Sequence, residues 1–261
     1  MANPLYGQNK SDNAIDEAAN DRKQIYRFAT PPIVHDYEHP VIQLADGTAL
    51  DTVIHSYADG LSMTFGALIA QDIDRPAAST TGMNYAYDQT NDDGIELVYS
   101  CVTAKGREGV DRFTVGKQAF SAEMEFSLAV VAGTDVGNFG FRKVEALAAD
   151  LHAYDEMAGL FPISGNISIQ TIINNAATVT TDTTANWGDG EIHSLKVLVS
   201  KAGAVTYQID GAAPSTTAAF SFDAGEVVTP FLSYLQASGA QTGALVLRKF
   251  TVESDNGSME A

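Results

Sequence analysis

A single cysteine, Cys101, and a single tryptophan, Trp187, occur among the 261 residues. One thiol leaves no internal disulfide framework, so the fold must be held by buried apolar surface. Cys101 itself reads as a small hydrophobe in a strand rather than a reactive thiol. Cations are scarce: 15 Lys and Arg stand against 33 Asp and Glu, for a formal net charge of −18. Phosphate recognition needs clustered Lys and Arg, so this balance excludes a nucleic-acid partner, and it also disfavours an anionic membrane surface. No apolar run approaches the ~18 residues needed to span a bilayer. The first residues show no basic segment followed by an apolar stretch, so no export signal is expected and synthesis in a reducing cytoplasm is. Nor is there a glycine-rich loop with a lysine to cradle phosphate, and no cofactor is expected.

What is present points to β structure. Hydrophobic residues make up 45% of the chain, enough for a sizeable core. Residues 1–40 form a distinct N-terminal arm, and 41–261 form one domain. The first thirty residues balance Lys10, Arg22, Lys23 and Arg27 against Asp12, Asp16, Glu17 and Asp21, so the acidity lies beyond them. Ile15, Ala18, Ala19, Arg22, Ile25 and Tyr26 have loose helical spacing, which predicts a short helix around 11–24. Prolines at 31, 32 and 40 break the segment that follows.

Beyond position 110 the pattern is clearer. Met124, Phe126, Leu128 and Val130 alternate with Glu123, Glu125, Ser127 and Ala129, the period of a half-buried strand. Further strands are expected at 51–57, 95–103, 138–144, 166–173, 191–200, 203–210, 226–235 and 244–253. Gly- and Asp-rich turns separate the later ones, among them 188–190, 201–203 and 210–211. Residues 58–94 read mostly as loop, and 144–152 as a short helical connector. Short strands at regular spacing indicate a sandwich or barrel.

The string Trp187-Gly-Asp-Gly-Glu-Ile-His-Ser-Leu-Lys-Val-Leu-Val-Ser200, followed by Gly203-Ala-Val-Thr-Tyr-Gln-Ile-Asp-Gly211, resembles the laminin G/concanavalin-like jelly roll. That resemblance is clearest over 110–253. It implies an all-β, two-sheet antiparallel jelly-roll sandwich carrying an extended N-terminal arm. One departure stands out: where that family often has an aromatic residue just before the histidine, this chain has Ile192, and Trp187 lies before the turn. The opening Met1-Ala-Asn-Pro-Leu-Tyr-Gly-Gln-Asn-Lys10 also resembles the start of virion structural proteins of tailed bacteriophages.

Relatives with this sandwich include glycoside hydrolases, whose chemistry requires two suitably spaced carboxylates. Glu123-Met-Glu125-Phe lacks the third carboxylate of their Glu-x-Asp-x-x-Glu strand, and adjacent Asp155 and Glu156 would face opposite sides of a strand. His35 and His39 have the spacing that binds zinc on a helix, but the neighbouring prolines oppose a helix there. His193 has no Ser or Cys nucleophile context and reads as a structural histidine at the sandwich edge. Asp88, Asn91, Asp92, Asp93 and Glu96 supply oxygen ligands of the kind calcium takes, without EF-hand spacing. The expectation is therefore no enzyme, no catalytic residue and no metal.

The functional expectation is a capsid decoration or cement protein on the virion surface of a tailed phage. Its partners would be the major capsid protein and neighbouring copies of itself. The docking residues would be Leu5, Tyr6, Arg22, Lys23, Ile25, Tyr26, Arg27, Phe28, Ile33, Val34 and Tyr37. Apolar anchors scattered in a polar arm gain burial only on a partner, and the three cations there suit acidic groups. The alternative is a lectin-like carbohydrate-binding module on a tail or spike, with Trp187, Tyr154, Tyr207 and Tyr234 as candidates for stacking on a glycan.

Overall fold

The computed structural model describes residues 21–27, 53–55, 62–65, 77–78, 82–89, 93–98, 113–134, 136–145, 151–236 and 241–255. Sixteen strands are present among them: β1 (Asp21–Arg27), β2 (Val53–His55), β3 (Ser62–Phe65), β4 (Ala77–Ala78), β5 (Met83–Gln89), β6 (Asp93–Val98), β7 (Phe113–Thr114), β8 (Phe120–Leu128), β9 (Val136–Lys143), β10 (Met157–Ile163), β11 (Asn166–Ile172), β12 (Val179–Asn186), β13 (Ile192–Val199), β14 (Val205–Ile209), β15 (Val227–Gln236) and β16 (Gln241–Asp255). One 3₁₀ turn, Leu151–Ala153, is the only helical element described.

The strands form two antiparallel sheets. One runs β14-β13-β8-β16-β5-β4, with β1 also on β16; the other runs β12-β11-β10-β9-β15-β6-β3-β2, with β7 on β15. β9 to β12 run as a meander, as do β13 and β14, but other neighbours such as β8 and β16 or β9 and β15 lie far apart in the chain, as in a sandwich whose connections cross between layers. The alternation read in β8 sets its inward face: Phe120, Ala122, Met124, Phe126 and Leu128 are buried, while Glu123, Glu125 and Ser127 are half-buried. Leu195, Val197 and Val199 of β13 and Val205 and Tyr207 of β14 continue that inner layer.

Aromatic residues bridge the sheets. Phe113 stacks on Phe120 at 4.7 Å, and Phe141 meets both edge to face. Phe126 lies 6.1 Å from Phe161 and 4.7 Å from Trp187. Phe161 needs room that only glycine leaves: a Cβ on Gly137 would come within 2.3 Å of its ring. Among the hairpins, Gly203 turns β13 into β14 with a φ of 95°, and a Cβ there would meet the Phe222 carbonyl oxygen at 2.2 Å.

The nine-stranded sheet is buried on its second face as well. Asn138, Arg142, Met157, Gln170, Phe231 and Ser233 alternate with core residues yet are all buried. The Arg142 guanidinium lies 4.5 Å over the Tyr154 ring and 5.8 Å from that of Phe231, a cation–π contact that lets a charge sit under cover.

Three expectations are corrected. Residues 21–24, expected in a helix, are strand: β1 pairs along its whole length with β16, from Asp21↔Asp255 to Arg27↔Lys249. The supposed loop 58–94 contributes β3, β4 and β5, together with the first residues of β6. The connector expected to be helical over 144–152 supplies only the single 3₁₀ turn at its end, among the described residues. In the first two cases an available ladder, rather than local propensity, decides the conformation.

Candidate functional site

The strongest side-chain constellation sits where the turn before β13 meets the β13–β14 side of the seven-stranded sheet. His193 shares the inward parity of Leu195 but lies at the strand's start, where the core runs out. Its Nδ1 is 2.7 Å from Asp210 Oδ2, and its Nε2 is 3.4 Å from Glu191 Oε2. Asp210, at a φ of 51° in the Asp-Gly turn, also accepts the Ser194 N–H at 2.9 Å through Oδ1. Glu191 accepts the Gly188 N–H at 2.7 Å, and its carbonyl accepts the Trp187 indole N–H at 3.0 Å.

Electrostatics follow from these bonds. The Gly188 N–H and then His193 hold the Glu191 carboxyl below the ordinary carboxylate range. For Asp210 burial pushes upward, but the Ser194 N–H and His193 outweigh it and the net direction is down. Both ring nitrogens of His193 therefore face carboxylates. The nearest hydroxyl along the chain, Ser194 Oγ, donates instead to Glu123 Oε1 at 2.8 Å. A histidine so engaged ties two turns together, and no nucleophile accompanies it.

The outward face of the seven-stranded sheet carries the carboxylates of the Glu123–Glu125 string. Glu123 lies 3.9 Å from Lys196 and 3.5 Å from Lys249; Lys196 reaches Glu253 at 3.4 Å and Arg248 reaches Glu125 at 3.9 Å. The two glutamates share a face, as i, i+2 spacing requires, but each is met by cations.

A third cluster was not legible in the sequence. Lys143 of β9 forms a short ion pair with Asp155 and lies 3.4 Å from Glu226. Those bonds, Asp155 first, raise the lysine's pKa against the opposing effect of burial. Asp155 N–H donates to Glu145 Oε1 at 2.9 Å. Adjacent Glu156 is buried. Nothing in the spacing of Lys143, Asp155 and Glu226 along the chain marked them as neighbours.

The remaining candidates fall as follows. Arg22, Lys23, Ile25, Tyr26 and Arg27 stand in β1, opposite Ser254, Glu253, Thr251, Phe250 and Lys249. Leu5, Tyr6, Phe28, Ile33, Val34 and Tyr37 lie outside the described residues, as do His35, His39 and Cys101. Of the acidic string, Asp88 is in β5 of one sheet, whereas Asp93 and Glu96 are in β6 of the other. Among the described residues no group of three or more His, Cys, Asp and Glu is placed to hold a metal ion. Trp187, Tyr154, Tyr207 and Tyr234 are all buried in the body and offer no face to a sugar ring. Among the described residues no helix is long and apolar enough to cross a membrane.

No family model matches this chain. No curated protein matches it either. Solved structures do. A protein of unknown function from Shewanella oneidensis MR-1 superposes with a TM-score of 0.55 at 13% identity, over 92% of this chain and 89% of that one. An alginate lyase from Corynebacterium sp. gives 0.50 at 12% identity, over 74% and 93%. The carbohydrate recognition domain of Emp47p gives 0.47 at 10% identity, over 79% and 92%. At such identities the likeness concerns the fold alone. With the two sheets and their order, it defines the class: an all-β, antiparallel jelly-roll sandwich of the concanavalin-like kind.

Proposed function

We propose that this protein is a non-catalytic jelly-roll structural protein, a virion decoration or cement protein that docks through its N-terminal segment. The observation that carries the reading is the β1–β16 ladder, which roots the segment on the sandwich at Asp21–Arg27 and leaves twenty residues before it. Leu5 and Tyr6 precede that root, and Phe28, Ile33, Val34 and Tyr37 follow it, spaced so that one docking surface on a capsid subunit could take several anchors. The body supports the same reading. Its His193 and its outward-facing Glu123 and Glu125 are already paired, and Trp187, Tyr154, Tyr207 and Tyr234 are buried. A surface of that kind suits packing against other proteins better than turning over a substrate.

The test is cosedimentation with phage capsids stripped of accessory proteins, alongside a glycan array probed with the same protein. Saturable capsid binding supports decoration. Glycan binding without capsid binding would replace this reading by the lectin-like one.

A further inference from the structure

β12 and β14 each end a sheet, so among the described residues each has one side without a neighbouring strand. An edge of that kind presents backbone N–H and C=O groups on which another chain can add a strand. One stretch, residues 212–222, lies over both edges. It follows the outer side of β14: the Ile209 N–H donates to the Ala212 carbonyl at 2.8 Å, the Val205 N–H donates to the Phe220 carbonyl at 2.9 Å, and Ala204 bridges Ser221. Between those contacts it reaches β12. There Ser215 Oγ donates to the Thr183 carbonyl at 3.2 Å and lies 2.7 Å from Thr184 Oγ1. Half-buried Ala218 and Phe220 pack on the core, and Phe220 meets buried Phe222 edge to face, which anchors the stretch.

β12 is itself interrupted where this stretch touches it. Ile167 stands opposite Ala185 and Ser168 opposite Asp182, so Thr183 and Thr184 are extra residues in the edge strand, a bulge. Thr184 has a φ of 69°, a conformation that a β-branched side chain opposes. Side chains hold the bulge in place. Asp182 Oδ1 accepts the Thr184 N–H at 2.8 Å, and buried Thr183 donates its hydroxyl to the Ile167 carbonyl. Without these two residues Asp182 and Ala185 would face Ser168 and Ile167 in unbroken order, and the strain at Thr184 would be gone.

We propose that residues 212–222 and the bulge at Thr183 and Thr184 form an edge guard, which closes this side of the sandwich to strand addition by a second copy of the chain. The edge needs one. β12 reads Val-Thr-Thr-Asp-Thr-Thr-Ala-Asn, rich in β-branched residues with Asp182 as its single charge, and Val179 at its start is 57% exposed. A regular strand of that composition pairs readily with another. The bulge leaves residues 179–182 as the longest regular stretch of β12, the Ser215 hydroxyl occupies the Thr183 carbonyl, and the same segment occupies the Val205 and Ile209 N–H groups of β14. This inference stands apart from the docking proposal, since it concerns the opposite edges of the sheets from the one that β1 joins.

Deleting Thr183 and Thr184 from the full chain tests the guard. The variant should keep the parent's near-ultraviolet circular dichroism yet sediment, as concentration rises, as larger species than the parent forms. Adding Thr180→Lys to the deletion should return it to the parent's state, because an edge lysine opposes strand pairing. A second variant, Thr184→Ala with Ser215→Ala, cuts the side-chain ties between segment and bulge at unchanged chain length and carries the test if the deletion does not fold. Amide exchange at Val205 and Ile209 should be slow in the parent and quicken about tenfold in this variant, as loss of hydrogen bonds that hold a local opening shut would give. A folded deletion variant that sediments like the parent, or association that Thr180→Lys leaves intact, would overturn the proposal. So would exchange at Val205 and Ile209 that is already fast in the parent, or that the double substitution leaves unchanged.

Discussion

Trp187 and His193 meet edge to face, with ring centroids 4.7 Å apart and planes at 64°, across the turn that separates them in the chain. The aromatic partner missing from the position before the histidine is thus supplied from the far side of the turn. Ile192, which holds that position, is 45% exposed, whereas Trp187 is 2% exposed. Trp187→Ala should destabilise the protein by about 3–5 kcal/mol, as large aromatic truncations in a core do. His193→Ala should cost about 1–2 kcal/mol through its lost hydrogen bonds. Urea unfolding of the two variants and their double mutant should give a coupling of about 0.5–1.5 kcal/mol. Simple additivity would mean the rings do not interact.

The paired state of Glu123 and Glu125 makes a prediction about chemistry. Glu123→Gln removes the charge facing Lys196 and Lys249 but keeps an oxygen that can accept from Ser194, on a partly solvated face. Its stability cost should stay at about 0–1 kcal/mol. The parent should not cleave glucans, galactans or alginate-type polymers in a reducing-end or unsaturated-product assay. Turnover that disappears in Glu123→Gln or Glu125→Gln would identify this strand as an active site.

How far the sequence disclosed these features depends on how each strand is buried. β8, β13 and β14 present one dry face and one wet face, so their residues alternate and the strands are legible. β10 reads Met-Ala-Gly-Leu-Phe-Pro-Ile and is buried along almost its whole length on both faces, so it shows no alternation. β12 fails for the opposite reason. Its Val-Thr-Thr-Asp-Thr-Thr-Ala-Asn lies at a sheet edge, largely exposed, with little apolar signal. The His193 clasp was half legible, through the histidine and the Asp-Gly turn. The Lys143 cluster was not, because its members come from β9, the segment before β10 and the turn before β15 and meet only in the fold.

The register of β1 is open to a chemical check. Ile25 stands opposite Thr251, and antiparallel partners have Cα atoms about 4.5–5.5 Å apart. That spacing falls within the range a disulfide spans. In a Cys101→Ser background, Ile25→Cys with Thr251→Cys should oxidise to a species with no free thiol and an altered mobility on non-reducing gels. Lys23→Cys with Thr251→Cys, two positions out of register, should crosslink poorly. Equal yields from both pairs would show that the strand has no fixed register.

The docking proposal separates two roles of the N-terminal segment, and deletions can tell them apart. Removing residues 1–20 leaves β1 on β16, so the sandwich should unfold at the same temperature as the full chain. Removing residues 1–27 strips the ladder from Lys249–Asp255 and leaves that stretch of β16 unpaired on one side, a template for association with other chains. This second variant should therefore be less stable and more prone to self-association, visible as a concentration-dependent sedimentation profile. Capsid binding should weaken sharply already in the first variant, since Leu5 and Tyr6 are lost while the root is kept. The cations near the root add a control: where Arg22, Lys23 and Arg27 face acidic groups on the capsid, affinity falls as salt is raised, because exposed charge pairs are screened within about 10 Å at 0.1 M. Full affinity after removal of 1–20 would place the docking surface on the sandwich or between β1 and β2, and the proposal would have to move there.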